Sequence, residues 1–210
     1  KITMLDVVQI SYHESYADDN FELLKLFAPH AKRVQGVKGI FEAHKEAARV
    51  AETNHFYVID ADAISVFKNK PNVLFDIIDQ DCILTPHEGE FERIFPNLKG
   101  NKIERVKEAS KISGAIIVLK GSDTLISSPD GRVIINSCAP PTLATAGSGD
   151  VLAGIILGLL SQGTDPFLGT AAAVWIHSIS ARLFGFGLIA DDLVDLIPKV
   201  LNALFLNDEN

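Results

Sequence analysis

Gly147, Ser148 and Gly149 stand between Thr145-Ala146 and Asp150, and an apolar run from Val151 to Leu160 follows at once. Small residues make a turn whose main-chain N–H groups can converge on an anion. A helix that starts there points the positive end of its dipole the same way. Asp150 puts a carboxylate at the helix entrance. Anion-holding amides beside a base are what phosphoryl transfer to a hydroxyl requires. The bland alternative is a Gly-rich turn ahead of a buried helix, with Ala146, Gly147 and Ser148 as its bend and Asp150 as its N-cap.

Three more polar clusters each follow a short apolar run: Asp60-Ala61-Asp62, Thr85-Pro86-His87-Glu88-Gly89-Glu90 and Lys120-Gly121-Ser122-Asp123-Thr124. Ligands of open α/β sheets bind beyond the carboxyl ends of the strands. Four polar clusters at four strand ends therefore imply one shared site. Each also has a plainer reading. Asp60 and Asp62 serve a turn or face solvent, His87 is structural, and Lys120 is a solvated strand-end lysine. His13, His30, His44, His55 and His177 have no motif partners and receive no role.

The elements that must position these clusters alternate. Ile2 to Ser11, Phe56 to Ile59, Cys82 to Thr85 and Ala115 to Leu119 read as strands, and Pro129-Asp130-Gly131 reads as the turn of a hairpin between Leu125–Ser127 and Arg132–Asn136. Helices are expected over Asp18 to Phe27 and Gly39 to Glu52. Another opens at an Asn101/Glu104 capping box and closes at Gly114. Three late helices run from Asp150 to Ser161, Pro166 to Phe184 and Ala190 to Leu204, the last kinked at Pro198. The pattern predicts a three-layer α/β sandwich around a mainly parallel sheet. Residues 56–210 carry the site, and residues 1–55 form an atypical N-terminal segment.

The chain has 210 residues, 47% of them hydrophobic, and a formal net charge of −8. That balance argues against nucleic acid or an anionic membrane as partner. Cys82 and Cys138 lie in no metal or redox motif. The longest unbroken apolar run is too short to span a bilayer, and the later one is interrupted by His177 and Arg182. A cytoplasmic protein is expected, with apolar late helices that favour a homo-oligomer. Lys32, Arg33, Lys38 and Lys45 read as a solvated face.

Ile83 to Phe91, Val118 to Thr124 and Ala144 to Gly154, with the closing stretch Leu188 to Pro198, together resemble the ADP/ATP-dependent NAD(P)H-hydrate dehydratases, ribokinase-like repair enzymes. The resemblance runs from about Tyr57 to Phe205. It implies a ribokinase-like sandwich that takes hydrated NADH or NADPH, ADP or ATP, and Mg2+. His87 would contact the hydrated nucleotide. Lys120, Gly121, Ser122, Asp123 and Thr124 would form the nucleotide loop, with Gly149 against the AMP part. Asp150 would touch the substrate and act as base on its hydroxyl, and Asp60 and Asp62 would lie near phosphates or a cation. The family usually has proline where this chain has Glu88, which adds a negative charge near an anionic ligand. The family's Gly-rich N-terminal substrate loops are not recognisable before Phe56. Residues 1–62 look instead like a phage-type, glycosyltransferase-like segment in which Asp60-Ala61-Asp62 would bind a metal and a sugar nucleotide. Two alternatives to the dehydratase stay open: a ribokinase-like small-molecule kinase, and a hybrid nucleotide-binding protein with little turnover.

Overall fold

The computed structural model of the chain describes residues 8–11, 32–35, 57–59, 64 and 67–207. The expected helices at 18–27 and 39–52, and the Asp60-Ala61-Asp62 cluster, lie outside the described residues. Two compact units are distinguished, residues 1–56 with 157–164, and residues 57–156 with 165–210. In the first unit β1 (Val8–Ser11) pairs in parallel with β2 (Lys32–Gln35), Val8 opposite Lys32 and Ser11 opposite Gln35. Lys32 and Arg33, read from the sequence as part of a solvated face, thus belong to a strand that the sequence reading missed.

The second unit contains a five-stranded sheet in the order β3 (Tyr57–Ile59), β4 (Cys82–Leu84), β5 (Ile116–Leu119), β6 (Thr124–Ser127), β7 (Val133–Asn136). β3, β4 and β5 are parallel, whereas β5–β6 and β6–β7 are antiparallel. The sheet is therefore mixed rather than mainly parallel. Chain length explains the difference. Only Lys120 to Asp123 link β5 to β6, and a parallel crossover needs a dozen or more residues. The β6–β7 link is the hairpin read from Pro129-Asp130-Gly131, with Gly131 at φ 93°.

Strand alternation distributes the side chains to two covered faces. Leu84, Ile117, Leu119 and Leu125 join one core with Phe91 and Ile94 of α2 (Glu88–Ile94) and Val106 and Ala109 of α3 (Lys102–Ser113). A short helix α1 (Pro71–Phe75) adds Leu74 to that core. Ile83, Ile116, Val118 and Ile126 point to the opposite face and are equally buried. Asn136 shares that second face, because it pairs with Thr124, two residues from Ile126. Its amide donates to the Ser178 hydroxyl at 2.9 Å, which places α5 (Pro166–Phe184) there. Helices thus cover both faces of the sheet, and this unit is three-layered. Each fully buried aliphatic side chain contributes about 1.5–3 kcal/mol to holding it.

The local signals act as their chemistry requires. Asn101 and Glu104 form a reciprocal capping box at the start of α3, and Gly114 closes it in the left-handed conformation at φ 70°. Pro166 opens α5 and the Asp165 carboxylate caps it by accepting from the Leu168 N–H at 2.9 Å. α5 is long and apolar enough to cross a membrane by length and composition, but it packs as an interior helix on β6, β7 and α6 (Ala190–Asn207).

Candidate active site

The parallel run of β3, β4 and β5 makes all three strands leave the sheet at one edge. The Thr85 N–H donates to the Ile59 carbonyl at 3.1 Å, and the Lys120 N–H donates to the Pro86 carbonyl at 2.9 Å. His87 and Lys120 then pair as a parallel bridge beyond the named strands. Two clusters far apart in sequence are thereby fixed side by side.

His87 caps α2, a helix that the sequence reading did not foresee. Its Nδ1 accepts from the Glu90 N–H at 3.2 Å while the Glu90 carboxylate accepts from the His87 N–H at 2.8 Å. His87 Nε2 lies 3.2 Å from the other Glu90 oxygen, so both ring nitrogens meet Glu90, a side chain only 5% exposed. The His87 ring itself is 54% exposed and open to a ligand on its remaining surface. Glu88 does not stand as an uncompensated charge. Its carboxylate is held by Arg105 of α3, which also lies over the Phe91 ring.

Between β5 and β6, the Gly121 N–H donates to the Thr124 hydroxyl at 3.3 Å and that hydroxyl reaches the Gly121 carbonyl at 3.2 Å. Lys102, at the start of α3, donates from Nζ to the Asp123 carbonyl at 2.5 Å. The loop is small and braced from both sides. Gly121, Ser122 and Asp123 are exposed.

α4 (Ser148–Leu160) starts two residues earlier than the sequence suggested. The Ser148 N–H closes a turn on the Thr145 carbonyl, and the Val151 N–H makes a helical bond to the Gly147 carbonyl, each at 3.3 Å. Gly147 therefore takes the capping position, and Asp150 is the third residue of the helix rather than its N-cap. Glycine is needed at 147 for two reasons. Its φ is 82°, and an added Cβ would come within 3.1 Å of the Ala190 side chain. Asp150 and Gly147 are exposed, and Gly149 is half-buried in the first turn.

His177 of α5 lies next to this turn. It is 5% exposed, and the Ser148 main chain and the positive charge of Lys120 both act on its ring. Burial, aided by Lys120, pushes its pKa down to about 4, and the Ser148 main chain only partly opposes that. The imidazole is neutral. His177 thus feels both Ser148 of the turn and Lys120.

A family model described as NAD(P)H-hydrate dehydratase matches residues 38–199. The chain belongs to the NAD(P)H-hydrate dehydratase family. Among relatives of this dehydratase family, the bifunctional NAD(P)H-hydrate repair enzyme of Salinibacter ruber is 37% identical over 156 residues, 70% of this chain and 29% of the relative. The ADP-dependent (S)-NAD(P)H-hydrate dehydratase of Neisseria meningitidis is 37% identical over 131 residues, 59% of this chain and 44% of the relative. The chain thus spans less than half the length of either. In fold it is similar to the ADP/ATP-dependent NAD(P)H-hydrate dehydratase of Bacillus subtilis, with a TM-score of 0.69 at 22% identity over 97% of this chain and 93% of that one. A ribokinase-like superfamily protein of Enterococcus faecalis gives a TM-score of 0.70 at 21% identity, covering 95% and 87%. The chain thus has the ribokinase-like α/β fold of the dehydratase family. The family match begins at residue 38, inside the segment read as glycosyltransferase-like, and nothing in these comparisons supports that reading.

Of the residues singled out in the sequence of this dehydratase-family chain, His87 and Lys120 are bridged, and Ser148 of the Gly147–Asp150 turn and Lys120 both influence His177. Asp60 and Asp62 follow the end of β3 and lie outside the described residues. Glu90, Lys102 and His177 were not recognised. Glu90 stands three residues after His87, the spacing of a capping box, and that signal was available. Lys102 and His177 carried none, since each reaches the site only through the fold.

Proposed function

We propose that the chain dehydrates hydrated NADH or NADPH, using ADP or ATP to phosphorylate the hydroxyl that is then lost. The observation that carries this reading is His87 bridged to Lys120 at one sheet edge, and a glycine-initiated helix N-terminus bearing Asp150, whose Ser148 acts with Lys120 on His177, supports it. Family membership and the printed names of the relatives support it.

In this reading Lys120, Gly121, Ser122, Asp123 and Thr124 hold the nucleotide phosphates and ribose, and Gly149 lies against the AMP part. Ala146, Gly147 and Ser148 shape the anion turn, and the positive end of the α4 dipole faces the transferred phosphoryl group. Asp150 accepts the proton of the substrate hydroxyl as its oxygen attacks phosphorus, and the bond from phosphorus to the nucleotide breaks. The phosphate ester then leaves with the C–O electron pair, the neighbouring carbon loses a proton, and the dihydronicotinamide double bond returns. Products are phosphate, the reduced cofactor and ADP from ATP or AMP from ADP. His87, held by Glu90, contacts the substrate.

Among the described residues no three His, Cys, Asp or Glu side chains cluster as a metal site. Mg2+ is held in part by phosphates and water; Asp60 and Asp62 would supply its carboxylates. Bound there, it would neutralise phosphate charge.

The proposal includes residues 56–210 as the part bearing the site, residues 1–55 as an accessory segment, and a cytoplasmic homo-oligomer. Exposed Leu168, Trp175 and Leu183 along α5 support self-association.

The test is incubation of the purified chain with hydrated NADH and either ADP or ATP, following the absorbance of reduced nicotinamide and release of free phosphate. Both rise together if the reading is right. A stable phosphoester without free phosphate would mark a ribokinase-like kinase, and nucleotide binding without either product would mark a hybrid with little turnover.

A further inference from the structure

Three residues at the start of α2 fit around one ring. His87 Nδ1 accepts from the Glu90 N–H at 3.2 Å, so that nitrogen carries no proton and the ring proton sits on Nε2. Nε2 faces Glu90 Oε1 at 3.2 Å, while Glu90 Oε2 accepts from the His87 N–H at 2.8 Å. Glu90 is buried, so each of its oxygens needs a partner, and His87 supplies one to each. Gly89 leaves the space for this. A Cβ added there would come within 3.1 Å of His87 Cε1 and 3.4 Å of Nδ1. The Nδ1–Cε1–Nε2 edge of the ring is thus turned toward its own helix. A capping box requires less: its glutamate need reach only the main-chain N–H of the cap. Here the glutamate also meets the side chain of the cap, which starting a helix does not call for.

We propose that Glu90 is a positioning residue for substrate recognition. Its buried carboxylate, with the space left by Gly89, locks the His87 ring with both nitrogens turned inward. His87 then meets a ligand with its aromatic face and its Cδ2 side rather than with a hydrogen bond from nitrogen. It takes no part in proton transfer, and the group it favours is a flat, conjugated ring. The effect on substrate rests on the dehydratase reading above, while the hold on the ring does not.

Glu90→Gln keeps the shape of the side chain and loses one acceptor. The main-chain N–H of His87 and its Nε2–H both need an acceptor, and an amide turns its NH2 toward one of them. The His87 ring nitrogens are read by NMR, with His87→Asn identifying their signals; asparagine is a preferred cap, so that variant folds. In wild type the neutral ring carries its proton on Nε2 alone, and in Glu90→Gln the Nδ1–H form joins it. Steady-state kinetics with hydrated NADH and ADP give the second readout. Glu90→Gln raises the KM for hydrated NADH about tenfold, the equivalent of one hydrogen bond, with kcat and the KM for ADP unchanged, as for lost ground-state binding. Gly89→Ala favours the helix yet crowds the ring, and it raises the same KM with no loss of stability in urea. A wild-type ring protonated on Nδ1, or a ring spectrum that Glu90→Gln leaves unchanged, overturns the proposal. So does a KM for hydrated NADH unchanged in both variants, or an equal rise in the KM for ADP. A wild-type chain with the Nε2–H ring and no dehydration removes the dehydratase reading and leaves the hold of Glu90 on the ring standing.

Discussion

His87 and Lys120 are joined by a parallel bridge just past the ends of β4 and β5, reinforced by the Lys120 N–H to Pro86 carbonyl bond of 2.9 Å. The residue assigned to the substrate and the residue assigned to the nucleotide are therefore held by the sheet itself, at a separation that neither side chain sets. Ser148, at the start of the helix that carries Asp150, and Lys120 both act on the buried His177.

Lys120→Ala is expected to weaken ADP and ATP binding by about 10- to 100-fold, the loss of one charge-assisted contact. Because the bridge is made by main-chain atoms, the fold should survive. Isothermal titration beside a urea melt checks both halves. Unchanged affinity in a folded variant would remove Lys120 from the nucleotide site.

Gly147→Ala should cost at least about 1–2 kcal/mol for a side chain at positive φ, with the clash at Ala190 in addition. Gly154, in the same helix, offers the control. A Cβ there meets nothing within 4 Å, so Gly154→Ala should stabilise by about 0.5–1 kcal/mol. Urea unfolding of the two variants should move in opposite directions. Equal effects would show that position 147 does not require glycine.

Glu88→Pro should be tolerated within about 1 kcal/mol. Position 88 is the first residue of α2, where proline is favoured. His87 already has φ −80° and ψ 171°, the extended backbone that precedes proline. Only the Arg105 pair is lost, and partly exposed pairs contribute little. A loss beyond about 2 kcal/mol would mean that the Arg105 pair holds α2 in place.

Much of the second unit was legible because its signals are local. Asn101 with Glu104, Gly114, Pro129-Asp130-Gly131 and Pro166 each dictate backbone geometry within a few residues. The α2 helix escaped because it has seven residues, contains Gly89 and is capped by histidine rather than by Ser, Thr, Asp or Asn. The start of α4 was misplaced because a left-handed glycine can act as cap, which moves Asp150 inside the helix. The antiparallel half of the sheet could have been read from the four residues between β5 and β6. His177 could not, because nothing in the spacing of an apolar helix says which turn it passes beneath.

Acid should destabilise the chain through His177. Its folded pKa, about 4, lies below the unfolded value of 6.5. Between those values the unfolded chain binds more protons, so stability is fully present above pH 6.5 and is lost progressively toward pH 4. The contribution is on the order of 3 kcal/mol. Urea melts from pH 7.5 to 4 should show this decline in wild type and a shallower one in His177→Leu. Parallel curves would assign the acid sensitivity to other groups.

The most direct test of the account is Asp150→Asn, assayed for dehydration of hydrated NADH with ADP and with ATP beside a calorimetric measurement of nucleotide binding. Asparagine keeps the shape of the side chain at the third position of α4 and cannot accept the hydroxyl proton. The account predicts a fall in kcat of about 10²–10⁴-fold, the usual contribution of a general base, with ADP affinity within about threefold of wild type because the nucleotide is held by main-chain groups and Lys120. A variant that binds ADP normally and retains near-full turnover would contradict it.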